Sequence, residues 1–209
     1  MKKSIISLCL LALAAFSANA QLQKGALVLG ISTGQSPNVL FLDSGIGGQS
    51  VFGFNTYTAD GENVTVINLN PRISYGVTKR LAIGSELGVG FLKYSDEGGF
   101  TSVSFNPFVR GHFPIGKIPK LQFLAQVGAG IGIATYNEDI GVDYKFGNVG
   151  LATGLAFFLA PAVSFDTMLG FNSIRLKEKD SDFGDNSNLS QFGLNVGVSV
   201  YFNHQADQK

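Results

Sequence analysis

The sequence predicts an all-β chain: an eight-stranded antiparallel up-and-down transmembrane β-barrel. Three observations carry that expectation. Apolar residues recur at every second position in eight separate runs, each bounded by turn residues. The connections between runs alternate between short and long. The 209 residues include 27 Gly and 18 Phe but only 14% charged residues, against roughly a quarter in a soluble domain. Beyond the amino terminus no apolar stretch has the length of a membrane helix, so so hydrophobic a chain is expected to cross with strands.

The amino terminus reads as a secretory signal peptide over 1–20. Lys2 and Lys3 precede the apolar stretch "SIISLCLLALAAF", and Ala18-Asn19-Ala20 forms an A-x-A cleavage site before Gln21. Cys9, the only cysteine, lies within that apolar stretch, so the exported chain has no disulfide and depends on packing and strand pairing. Without Lys2 and Lys3 the 15 basic residues become 13 against 15 acidic ones, a net charge of −2. That balance offers no basic face for nucleic acid. The barrel is expected over 21–202, with a polar tail, "NHQADQK", over 203–209.

The first run, about 24–32, reads "KGALVLGIS"; the second, about 63–77, reads "NVTVINLNPRISYGV". In the second, Thr65, Ile67, Leu69, Ile73, Tyr75 and Val77 share one face, while Asn68, Asn70, Arg72, Ser74 and Gly76 share the other. The third, about 80–94, contains "LAIGSELGVGF". The fourth, about 101–113, reads "TSVSFNPFVRGHF", and the fifth, about 120–136, contains "LQFLAQVGAGIGIAT". The sixth and seventh fall at about 146–159 and 162–174, and the eighth, about 189–202, reads "LSQFGLNVGVSVYF". Connections at 78–80, 114–120 and 160–162 are short. Those at 33–62, 95–100, 137–145 and 175–188 are mostly longer and richer in Gly, Asp, Asn and Ser, the asymmetry of periplasmic turns and extracellular loops. Pro71 and Pro107 interrupt two runs, and a bulge or local irregularity is expected at both.

The face opposite the apolar one decides which side meets lipid. In the third run it is Ala82, Gly84, Glu86, Gly88 and Gly90; in the fifth it is Gln122, Leu124, Gln126, Gly128, Gly130 and Gly132. These small or polar residues suit a narrow lumen rather than a water-facing surface. About ten steps of 3.3 Å from Leu81 to Phe91, tilted near 40°, give a height of roughly 25 Å, that of an outer-membrane apolar band. Tyr75, Phe113, Phe157 and Phe202 mark the short-turn boundary of that band, and Phe91 and Phe171 the loop boundary.

Glu86 is thereby a lumen residue. With 78–80 as the turn, Arg72 falls opposite it and is its expected ion-pair partner, through a bidentate guanidinium fork. A repeat of forty residues brings Gln126 to a similar height, and one of eighty brings Asp166, with Arg110 close by. The repeat unit is two strands with their connections, as in a series of hairpins. Arg72, Glu86, Arg110, Gln126 and Asp166 are read as a structural polar cluster that fills the lumen.

These features resemble the small eight-stranded outer-membrane β-barrel proteins, the OmpA/OmpX/OmpW-like group and the broad outer membrane protein beta-barrel domain family. The resemblance spans nearly all of 21–202 and rests on the leader, the "LAIGSELGVGF" strand and a last strand ending "VSVYF". It implies export to the outer membrane of a Gram-negative bacterium. It also implies recognition of the closing strand by the barrel-assembly machinery, through Phe202, although a polar tail follows that residue.

No metal-ligand pattern or cofactor motif stands out. The acids of "YNEDIGVDY" and "KEKDSDFGDNSN" lack the order of an EF-hand, and "GAGIG" has the period of a strand. His112 lies at the periplasmic end and His204 in the tail, neither where outer-leaflet lipid arrives, so no catalytic residue is assigned. The expected role of this porin-like chain is therefore non-enzymatic. It would be a monomer surrounded by outer-membrane lipid, structural or contacting an extracellular ligand through loops 33–62 and 175–188. A narrow channel for small or apolar solutes is the alternative, and a lipid-modifying enzyme a more distant one.

Overall fold

A computed structural model describes residues 22–34, 54–59, 62–94, 98–116, 118–136, 143–178 and 186–202. Residues 1–20, expected as a leader, 203–209 with His204, and most of the expected long loops lie outside them. The strands are β1 (Leu27–Gly34), β2 (Phe54–Ala59), β3 (Glu62–Gly76), β4 (Leu81–Tyr94), β5 (Gly99–Ile115), β6 (Ile118–Tyr136), β7 (Asp143–Ala160), β8 (Val163–Glu178) and β9 (Asn186–Phe202). From β3 to β9 each strand pairs antiparallel with the next. The sheet then closes because β1 pairs with both β9 and β3.

The stretch 33–62 is not wholly a loop. Leu27 to Ser32 lie opposite Tyr75 to Asn70, and Phe54 to Ala59 lie opposite Ile67 to Glu62. β1 and β2 are thus successive pieces of one stave, with 35–53 between them outside the described residues, and the barrel has eight staves. β2 is built from Asn55, Thr56, Tyr57 and Thr58, residues of mixed strand preference whose polarity gives no period-two apolar signal.

At both prolines the expected irregularity is a lapse in one ladder and not a bulge. The β3–β4 ladder lapses beside Pro71 but runs at the same register on both sides, Leu69 opposite Val89 and Arg72 opposite Glu86. The β5–β6 ladder does the same beside Pro107, between Phe105–Ile131 and Phe108–Gly128. Each proline keeps a paired residue on its other neighbour, Ile31 or Ser85, so the missing donor interrupts one ladder without inserting a residue. Register shifts occur instead next to the short turns, at Pro114/Ile115 and Phe158/Ala160.

The two faces divide as the alternation predicts. Val127 and Leu151, at mid-height, are 52% and 60% exposed, whereas the lumen residues Ala82, Leu124 and Ala156 are fully buried. All six aromatics expected at the boundaries point outward. Phe171, however, lies in the mid-height row, opposite Leu151 and Phe192, and not at the loop boundary, because β8 runs on to Glu178. The turn end of the lumen is filled by an apolar cluster that includes Leu22, Val28, Leu124, Phe158, Met168 and Tyr201. Leu22 reaches it because the chain before β1 folds back, with Gly25 N–H donating to the Gly76 carbonyl at 2.7 Å. A second cluster, Ala134, Phe146, Ile174 and Leu176, lies towards the loops.

Glycine makes this narrow interior possible. A Cβ at Gly154 would stand 1.9 Å from the Thr167 carbonyl oxygen and 2.6 Å from Met168 Cα, both backbone atoms of the neighbouring strand. Gly154→Ala is therefore expected to cost about 1–3 kcal/mol or more, as overpacking does. Urea unfolding in lipid vesicles measures it.

Candidate functional site

The lumen is crossed at the level of Arg72 by a layer of charged and polar side chains from five strands. β3 supplies Arg72, β5 Arg110, β6 Gln126, β8 Asp166 and β9 Ser199. Alternation turns each inward, and Gly30, opposite Arg72 on β1, leaves the space its guanidinium occupies: a Cβ there would lie 2.5 Å from Arg72 Nε. Arg72, Arg110 and Asp166 are 7%, 4% and 2% exposed.

Asp166 is the hub. Arg72 Nη2 donates to its Oδ2 in a short ion pair, and Arg110 Nη1 lies 3.5 Å from the same oxygen. The Ser199 hydroxyl donates to Oδ2 and the Ser164 hydroxyl to Oδ1, both at 2.6 Å. Arg72 Nη2 also lies 2.6 Å from Ser199 Oγ. Arg110 Nε donates to Gln126 Oε1 at 2.7 Å, and its guanidinium carbon lies 5.3 Å from the centre of the Phe108 ring. A carboxylate that accepts bonds at both oxygens offsets its desolvation much better than an isolated one.

The five predicted residues thus come to one layer, but the ion pair is differently made. Arg72 and Glu86 are cross-strand partners as the short turn requires, yet Arg72 reaches across the lumen to Asp166. Two hydroxyls add to that carboxylate, whereas nothing comparable flanks Glu86. Among the described residues Glu86 has no hydrogen bond or ion pair, and it is only half-buried. It lines a lumen cavity of about 60 Å³ together with Asn106, Asn148, Asn172 and Asn195. That volume holds several waters. Asn148 Oδ1 and Asn195 Oδ1, both buried, have no protein partner, so the cavity wall is a set of groups that water can satisfy. Asn148 Nδ2 in turn donates to Asn106 Oδ1 at 3.1 Å.

Sequence reasoning placed Gln122 on the lumen face but missed Ser164, Ser199, His112 and Tyr201 as lumen partners. His112 is buried in the lumen, 3.3 Å from Gln122 Oε1 and edge-on to the Tyr201 ring at 6.2 Å between centroids. Its two-residue spacing from Arg110 was the available signal, because it fixes the same face. Below this layer the apolar cluster around Leu124 and Tyr201 fills the turn end. Layer and cluster together can support a sealed interior.

No protein-family model matches the sequence, and no curated protein matches it. Among solved structures, the fold is similar to that of Neisserial surface protein A, with a TM-score of 0.58 and 13% identity over 86% of this chain and 98% of that one. It is also similar to the solid-state NMR structure of outer membrane protein AlkL in DMPC lipid bilayers, with a TM-score of 0.52 and 13% identity over 92% of this chain and 97% of that one. The chain has the fold of the small eight-stranded outer-membrane β-barrels.

Proposed function

We propose that the chain is a non-enzymatic, non-conducting barrel of a Gram-negative outer membrane, a lipid-embedded platform whose long loops contact an extracellular partner. In this reading the leader directs export, and the assembly machinery recognises the closing strand at Phe202. The barrel then stands as a monomer among outer-membrane lipids. The observation that carries the reading is the filled lumen: the Asp166 layer rests on an apolar plug, as expected when side chains from eight strands converge. With the interior closed, contact chemistry is left to the rims and the outer wall. His112 supports a packing role over catalysis, since it faces inward at the turn end.

Planar-bilayer recording of the purified barrel tests this. The expected result is no stable single-channel current, in the parent chain or in Arg110→Ala. A steady current in the parent chain that changes with Arg110→Ala would replace this reading with the narrow channel. A mass change in co-incubated lipopolysaccharide would replace it with an enzyme.

A further inference from the structure

The outer wall is not uniformly apolar. Towards the loop end, an open depression of about 1290 Å³ spreads over β5 to β8 and reaches β9. Its floor can be followed row by row through the strand register. In one row Val103, Ile133, Lys145 and Lys177 lie side by side; in the next, Phe105, Ile131, Gly147 and Arg175 do. Each row starts from aliphatic or aromatic side chains on β5 and β6; the first ends in cations on β7 and β8, the second passes through Gly147 to a cation on β8. Gly147 opens the middle: a Cβ there would meet only the Gly130 carbonyl oxygen, at 3.8 Å.

The cations are arranged against their own repulsion. Lys145 and Lys177 are directly opposite on paired strands, a placement that like charges disfavour. Arg175 is two residues from Lys177 on the same exposed face. Among the described residues none of the three has a carboxylate partner. Among the described residues the nearest acid on that face is Asp143, two residues before Lys145, and no other described acid is seen at an outward position of β6 to β9. Among the described residues three cations stand against one acid, beside an apolar trough, an arrangement that complements an anion attached to hydrocarbon.

We propose that this depression binds a phosphorylated, acylated lipid of the leaflet at the loop end. Its phosphate sits between Lys145, Arg175 and Lys177, and its acyl chains lie over Ile131, Ile133 and Phe105 beside Gly147. A phosphate monoester suits the site better than the diester of a common phospholipid. It carries close to two negative charges and three oxygens that accept hydrogen bonds, and Arg175 can take two of them in one plane. The inference rests on the membrane reading above, because only a bilayer would bring such a lipid to this wall.

Native mass spectrometry of the full chain, folded in detergent micelles, tests it with diphosphorylated lipid A, the same lipid stripped of phosphate, and inorganic phosphate as competitor. The parent chain is expected to retain the phosphorylated lipid about tenfold better than the stripped one. The triple variant K145Q/R175Q/K177Q should lose that preference, and Gly147→Leu should weaken retention of both lipids with the cations intact. Millimolar inorganic phosphate should leave the lipid in place. Equal retention of the two lipids by the parent chain, full retention by the triple variant, or displacement by inorganic phosphate would overturn the proposal. Insertion into vesicles is followed separately, by protease protection of the strands. A chain that fails to insert removes the membrane reading, whereas one that inserts without preferring phosphate removes only the lipid site.

Discussion

Replacing Asp166 with Asn is expected to lower the unfolding free energy of the barrel by about 3–5 kcal/mol, the scale of breaking a buried ion pair from one side. The amide keeps the shape of the carboxylate but removes its charge, leaving the buried Arg72 and Arg110 without the carboxylate that both pair with. Ser164 and Ser199 also lose their carboxylate acceptor. Glu86→Gln should cost less than about 1 kcal/mol, because that carboxylate lines a cavity and holds no ion pair. The comparison is made by urea unfolding in lipid vesicles. A Glu86→Gln loss equal to that of Asp166→Asn would mean that the hub has been placed on the wrong carboxylate.

Leu151→Arg should be the most damaging substitution on the outer wall, at about 2–4 kcal/mol in a bilayer, the cost of a cation near the lipid midplane. Leu151 lies midway along β7 and is 60% exposed. The same change at Val77, beside the short turn, should cost no more than about 1 kcal/mol, since an arginine there reaches the interface. Vesicle unfolding again gives the values. Equal costs at Leu151 and Val77 would show that the apolar face does not meet lipid.

Much of this was legible because both faces of a strand write themselves into the sequence. Period two located all of the long strands to within a few residues, and the short turn at 78–80 set Arg72 opposite Glu86, as found. Register, however, names only neighbours on adjacent strands. Arg72 and Asp166 are brought together by curvature that carries β3 and β8 round to face each other, and no local pattern encodes that distance. The hydroxyls of Ser164 and Ser199 were hidden for the same reason. β2 was missed although Asp60-Gly61 follows its alternating threonines, a dipeptide that favours tight hairpins. At the prolines the irregularity takes the milder of its two expected forms, because an interrupted ladder absorbs a lost donor without changing register.

The divided first stave has a mechanical consequence. β9 is matched to β1 only from Asn195 to Phe202, and among the described residues no pairing joins β2 to the remainder of β9. Among the described residues the hoop is therefore clasped there along one part of its height, while every other junction from β3 to β9 is laced for most of its length. Under lateral stress the wall should part first between β2 and the upper reach of β9, and tear towards the turns from there.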